Sequence, residues 1–480
     1  MGLVLAVVLG RLLGEAGSGV VMQAVGVFMI ALGISRFGMD SSAIWLLPRL
    51  AMDAPTRVAL ATWFMIAVSG AAGAVCAAVM IAASTLIAAD DAAADAIAAS
   101  AWFLPVTSML LTALAATRGL GGVAAYVWVG NVILPTLRPL AIIAVVALGG
   151  GAVAATVAWA APGLATLFMA LAVLVFQLRG LATTSPATAP TTGPTTAFFA
   201  SGVPRTALRY AGPRVVSSTL EQVLAWVGII LVGALAGPTA AGIYAAASRF
   251  STSGMIVDTA IRVAVSPLFS RLHHRGEVQE LTDVYRRATT WLVLFSAPVF
   301  ILMAVYAPVA LLLLGPGFTT GATVLAVMCV GAMVTLMAGN IHSILLMGGN
   351  SGLAALNKVV AVSVNVLLIL ALTPAWGIVG AALGWVVSCL LDAAMATYEV
   401  HRFMHIRLPL TSGIRPLLVA VTTVGLPAVL IRILMGPTLI ALAVTVVVGG
   451  VLFVSWCLVD HSRLHLNKPG KIRERKSSHV

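Results

Sequence analysis

The sequence predicts an all-α integral membrane protein with about fourteen transmembrane helices, the first of them truncated, and three observations carry that prediction. The residues are 61% hydrophobic and only 9% charged, where a soluble chain carries roughly 25% charged residues. Apolar runs of roughly 17 to 25 residues recur along the whole length, separated by short polar breaks, and lipid admits only backbones that satisfy their own hydrogen bonds. None of these runs alternates with the two-residue period of a barrel strand.

The chain opens on Met1 to Leu13, apolar but too short to cross and interrupted by Arg11. It lacks the basic start and small-residue cleavage site of a signal peptide, and it reads as the far half of a span that begins upstream. Complete spans follow over 19–35, 58–88, 97–116, 131–149, 152–176 and 214–235. Seven more are expected over 241–264, 291–314, 322–346, 353–373, 378–398, 414–434 and 438–459.

Orientation comes from Lys and Arg, which accumulate in cytoplasmic loops. Of the 27 basic residues, all but Arg11, Arg138, Arg249, Arg262 and Arg432 fall on alternate loops, their edges or the C-terminal tail. The opposite loops hold Asp90, Asp91 and Asp95 and Gly- and Pro-rich links such as GPTAAG, GPGFTTG and TPAWG. One helix too many or too few would scramble this segregation. Both termini are therefore expected in the cytoplasm, with the chain crossing a bacterial plasma (inner) membrane many times. The net charge of +12 follows topology and calls for no nucleic-acid partner.

Residues 182–204 contain seven Thr and four Pro and no charge, the composition of a flexible, partly extended linker. The expected organisation is an N-terminal bundle (1–181), a Thr/Pro-rich cytoplasmic linker (182–213), a C-terminal bundle (214–408), two additional helices (409–460) and a basic tail (461–480) that lies against anionic lipid. An internal echo supports two halves: GEAGSGVVMQA (Gly14 to Ala24) resembles GPTAAGIYAAA (Gly237 to Ala247), six crossings later, as in repeats related by an axis along the membrane normal.

Cys76, Cys329, Cys389 and Cys457 all fall inside expected spans at no metal-like spacing. His401 and His405 follow Glu399 but lack the order of a zinc hydrolase, and His273 and His274 sit in a basic loop. No metal and no cofactor is expected. Glu277 to Arg287 has the spacing of an interfacial helix, with Asp283 four residues before Arg287.

Four segments carry a family resemblance: GRLLGEAGSG with the following span (Gly10 to Gly38), LVGALAGPTAAGIYAAASRF (Leu231 to Phe250), SPLFSRL (Ser266 to Leu272) and NVLLILALTPAWGIVGAALG (Asn365 to Gly384). In these the chain resembles polysaccharide flippases of the Wzx type, in the superfamily that also holds multidrug extruders and lipid II flippases. The resemblance implies two parallel six-helix bundles plus two C-terminal helices around a central cavity exposed to each side in turn. It also implies a cargo, a polyprenyl-diphosphate-linked oligosaccharide carried from the cytoplasmic to the outer leaflet, and no enzyme activity. Glycan polymerase or glycosyltransferase partners, besides membrane lipids, fit that role. Where many relatives carry an acid and a base early in the seventh span, this chain has Gly228 and Ile229.

Such a cargo needs cations for its phosphates, and Arg offers a permanent charge with a forked set of donors. A charge at mid-bilayer costs at least about 2.5 kcal/mol, so each demands a reason. Arg138, between Pro135 and Pro139, and Arg249, counted about 9 Å below the outer end of its helix from Ile243, are the expected substrate-binding cations. Structural bonding between helices is the competing reading for both. Arg11 and Arg432 are expected to reach the interface, as is Asp392. Glu221 is open to pairing, proton coupling or cation binding. Asp258 and Arg262, four apart in acid-first order, are open to a local ion pair or to ion coupling.

A drug extruder of the same superfamily would favour acids in its cavity for cationic cargo. A membrane glycosyltransferase or polymerase would need a large external loop or a carboxylate pair, and the longest outer loop is Ala88 to Ala96.

Overall fold

A computed structural model describes residues 2–88, 90–184, 198, 202–347, 351–404, 406 and 410–459. Among these residues every regular element is a helix. The principal helices are α1 (Gly2–Ser35), α2 (Met39–Asp53), α3 (Val58–Ala82), α4 (Asp91–Ala101), α5 (Leu104–Gly119), α6 (Leu134–Ala147), α7 (Ala152–Ala160) and α8 (Pro162–Thr184). They continue with α9 (Val203–Ser253), α10 (Ile256–His274), α11 (Val278–Val305), α12 (Ala322–Leu336), α13 (Ile341–Met347), α14 (Ser351–Met404), α15 (Ile414–Ala420), α16 (Leu426–Met435) and α17 (Leu439–Val459).

Among the described residues ten helices are long and apolar enough to cross a membrane, or eleven when α4 and α5, bent by 47°, count as one. The chain is a multi-pass membrane protein. The number is below the fourteen expected, and three of the ten helices are broken by an internal glycine: Gly2–Asp53 at Gly14 (φ 65°), besides the gap between α1 and α2, Arg214–Ser253 at Gly237 (φ 84°) and Gly352–Met404 at Gly377 (φ 57°). Only glycine takes this left-handed backbone at no steric cost. All three fall in links that the sequence places between successive spans.

Two expected spans have a different course. The run 97–116 is bent, because Pro105 opens α5 and cannot donate a backbone hydrogen bond to the turn before it. The run 241–264 is interrupted at Gly254 and Met255, between α9 and α10. Most of the Thr/Pro-rich stretch (185–197 and 199–201) lies outside the described residues, as do the tail, His405 and Arg407. The end of that stretch is helix: Val203, Ala207 and Ala211, one turn apart on α9, are all buried.

The chain forms two compact units, Met1–Phe250 with Leu311–Val324 and Ala355–Ser388, and Ser251–Ala310 with Leu325–Ala354 and Cys389–Val480. The first unit has a core of Leu47, Ile66, Leu110 and Leu174, drawn from α2, α3, α5 and α8, together with Phe198. Here α1 crosses α9 so closely that neither Gly19 nor Gly242 has room for a Cβ. In the second unit Phe269, Tyr285, Ile344, Leu345 and Val400 form one core. A second contact joins Tyr306 Oη and Thr445 Oγ1 at 2.6 Å.

Candidate functional site

Arg138 sits in a stretch where the helix repeatedly loses its ladder. Residues Tyr126–Ile133 are wound as a π-helix, and α6 then starts with Pro135 in its first turn and carries Pro139 inside. Pro139 has no N–H to give to the carbonyl of Pro135, one turn back, so that acceptor is released toward the neighbouring space. The guanidinium of Arg138 lies over the indole of Trp159 from α7, with Cζ 4.2 Å from the ring centroid. That indole is itself held edge-on by Phe28 of α1, at 5.2 Å and 89°.

Arg249 lies on α9, twelve residues past the break. Helical rise puts it about 18 Å along the helix from Gly237, farther from the turn than the count from Ile243 predicts. The reason is that Gly237 alone makes the turn, and Pro238 to Gly242 are already helix. Its Cζ is 3.9 Å from the centroid of Trp226, which precedes the break on the same helix.

These two pairs face one space. Arg138, Trp159, Trp226 and Arg249 line a cavity of about 240 Å³ in the first unit, with Pro135 and Pro139 on one wall and Met22, Val25 and Met29 of α1 on another. No carboxylate is among its lining residues. Arg138 Nε and Arg249 Nη2 are buried and have no hydrogen-bond partner among the described residues. Stacking on a desolvated indole is worth roughly 2 kcal/mol, against at least about 2.5 kcal/mol for a charge at this depth. The rings therefore offset much of the burial cost while leaving guanidinium edges with donors unspent. The two guanidinium groups thus share one largely apolar cavity whose lining holds no carboxylate.

The other charges named from sequence lie elsewhere. Glu221 is exposed on α9 and outside the cavity. Asp258 and Arg262 belong to the second unit; they share α10 and feel each other's charge, but no ion pair closes between them. At Gly228, a Cβ would meet the Tyr244 hydroxyl at 2.8 Å, so Tyr244 occupies the room an acidic side chain would need. Arg11 is exposed, and its Nε donates to Leu313 O at 2.7 Å and its Nη2 to Leu312 O at 3.3 Å. Arg432 likewise donates to the carbonyl of Val305. Asp283 pairs with Arg286 at 3.5 Å rather than with Arg287.

Asp392 departs most from expectation. It is 5% exposed, and its Oδ2 lies 3.0 Å from His342 Nε2, an ion-pair distance with the ring edge off-line for a hydrogen bond. Sequence reasoning missed His342, which stands alone in an apolar run, and missed Trp159 and Trp226 because an aromatic ring in a span carries no mark of its function.

The helical fold and the cavity define a multi-pass membrane protein with two cationic side chains buried inside an apolar body. The model of the polysaccharide biosynthesis protein family matches residues 1–273, more than half of the chain, and the protein belongs to that family. A relative from Haloferax volcanii, the probable low-salt glycan biosynthesis flippase Agl15, is 24% identical over 204 residues, 42% of this chain and 43% of that protein. The chain thus aligns with less than half of that relative's length. Among solved structures, the lipid II flippase MurJ in an inward closed conformation matches with TM-score 0.66 at 12% identity, over 96% of this chain and 97% of that one. An inward-facing multidrug-resistance transporter of the MATE family matches with TM-score 0.67 at 16% identity, over 84% and 93%. The expected resemblance to the flippase superfamily is borne out in family and fold.

Proposed function

We propose that this protein is a flippase that carries a polyprenyl-diphosphate-linked oligosaccharide from the cytoplasmic to the outer leaflet by alternating access. The observation that carries the reading is the pair of stacked guanidinium groups, Arg138 and Arg249, with unspent donors in one cavity. A diphosphate is the anion that Arg forks match. At about 240 Å³ the cavity is below the roughly 300–1,000 Å³ that holds a whole drug-sized ligand, which suits a head group rather than the entire glycan. Membership of a polysaccharide biosynthesis family and the partial match to a glycan flippase support the same cargo.

In this reading each of the glycine breaks at 14, 237 and 377 is a reversal between two spans, which restores the fourteen crossings and puts both termini in the cytoplasm of a bacterial inner membrane. Substrate comes from glycosyltransferases on the inner side and passes to a polymerase on the outer. A cationic-drug extruder is less well supported, because no carboxylate lines the cavity.

The test is complementation of a strain that lacks the gene. Arg138→Ala and Arg249→Ala are each expected to lower surface glycan at least about tenfold, the equivalent of losing one charge-assisted bond of roughly 1.5–3 kcal/mol, with unchanged protein in the membrane. Normal glycan in both variants would overturn the site. Raised resistance to cationic dyes on overexpression would favour the extruder.

A further inference from the structure

The second unit holds a titratable cluster that the cargo site does not use. Helix α12 ends at Leu336 and α13 begins at Ile341, with Gly339 at φ 59° in the turn between them. The turn is fixed by Tyr285 of α11, whose hydroxyl donates to Ala338 O at 2.7 Å. The non-helical turn leaves α12 and α13 as two segments that can shift against each other. The first turn of α13 presents His342, 3.0 Å from the buried carboxylate of Asp392 on α14. From α10, Asp258 is close enough for its charge to interact with both His342 and Arg262.

We propose that His342, Asp392 and Asp258 form a proton-binding site whose loading and unloading drives the transport cycle; the second half of this statement rests on the flippase reading above. Asp392 on α14 lies 3.0 Å from the imidazole, and Asp258 on α10 interacts with its charge and with that of Arg262 on the same helix; Tyr285 of α11 packs in one core with Ile341 and Ile344 on either side of His342, and Glu399 is buried on the helix that carries Asp392. Histidine is the side chain whose ordinary charge change falls between pH 5 and 8. When the ring takes a proton from water, one N–H bond forms and the imidazolium sits between two carboxylates that the bilayer otherwise penalises. When it returns that proton, Asp258 keeps the charge of Arg262, and the contact between α10, α13 and α14 loses the cation of the imidazolium. The two charge states thus favour different packings of a helix that is already broken next to the site. Nothing is oxidised or reduced, and the proton is the only species exchanged.

Two assays on the full-length chain test this. In detergent, with ¹³C-labelled histidine rings followed from pH 5 to 8, H342Q identifies the His342 signal by removing it. D392N is expected to move its titration midpoint, because it removes the carboxylate 3.0 Å from the ring, and an identical midpoint in wild type and D392N overturns the site without reference to any cargo. In the complementation strain, H342Q and D392N are expected to keep wild-type protein levels but lower surface glycan at least about tenfold, while Asp392→Glu restores at least half. Should D392N fail to accumulate, D258N replaces it in both assays with the same expected results. Intact glycan in H342Q refutes coupling even where the ring titrates as proposed. If the wild-type chain itself fails to restore glycan, the flippase reading fails, and the midpoint shift alone decides the proton site.

Discussion

Gly19 and Gly242 press on each other's helices in the same way: a Cβ on Gly19 would fall on the carbonyl of Pro238, and one on Gly242 would fall on the carbonyl of Glu15. Pro238 follows the break at Gly237, and Glu15 follows the break at Gly14. The contact is reciprocal, with breaks and contact glycines at the same interval in both segments, as a two-fold relation between α1 and the second half of α9 requires. Replacing either glycine with Leu is expected to destabilise the protein by about 1–3 kcal/mol or more, the cost of forcing volume into a packed contact. Thermal unfolding in detergent should register both losses to a similar degree. Gly450→Ala, in α17 with nothing within 4 Å of its Cβ, should be neutral or stabilising by about 0.5–1 kcal/mol.

That relation was partly legible in the sequence, because GEAGSG and GPTAAG had to keep glycine at both the break and the crossing. The spans were legible for the same kind of reason: lipid penalises every polar exception. Arg138 and Arg249 were legible as exceptions to that rule, but not as one site, since nothing local joins a residue of α6 to one of α9. Trp159 and Trp226 were invisible because a ring that stacks on Arg and a ring that faces lipid satisfy the same hydropathy. His342 was missed because its partner Asp392 lies on another helix, fifty positions on.

Charge and planarity can be separated at Arg249. Arg249→Lys keeps the cation but loses the flat stacking face and the forked donors, so surface glycan should fall by an intermediate amount, between wild type and Arg249→Ala. Trp226→Leu keeps apolar bulk and removes the π-face under the guanidinium, 3.9 Å away. A cation–π contact of roughly 2 kcal/mol when desolvated corresponds to a loss of stability readable by thermal shift. Full stability in Trp226→Leu would show that the stack does not offset the burial of Arg249.

Tyr306 offers a stability test away from the cavity of Arg138 and Arg249. Its hydroxyl meets Thr445 Oγ1 at 2.6 Å and lies within hydrogen-bond reach of the carbonyls of Ala428 and Ala441, at 3.4 and 3.2 Å. Tyr306→Phe keeps the ring in its buried place and removes only the oxygen. Thr445 retains its own bond to Ala441 O at 2.8 Å, so the expected loss is modest, about 1–2 kcal/mol. Unfolding temperature should fall while glycan export stays near wild type.

Arg432 and Arg11 perform the same task in different units, and that task is to cap a helix end. Arg432 donates to the carbonyl of Val305, the last residue of α11, and Arg11 to the carbonyls of Leu312 and Leu313 at the end of the short helix Ala307–Leu312. The last carbonyls of a helix have no partner of their own, and they carry the negative end of its dipole, so a cation there gains both a bond and a favourable field. In Arg432→Ala the end of α11 loses that partner, and amide exchange over residues 302–306 should accelerate. For a partly buried cap of about 1–2 kcal/mol, the acceleration is expected to be about five- to thirtyfold, because exchange there reads the local opening free energy. Arg11→Ala should do the same over 311–315 and leave 302–306 unchanged. Unaltered exchange in both variants would mean that these side chains only approach the carbonyls and do not hold the helix ends.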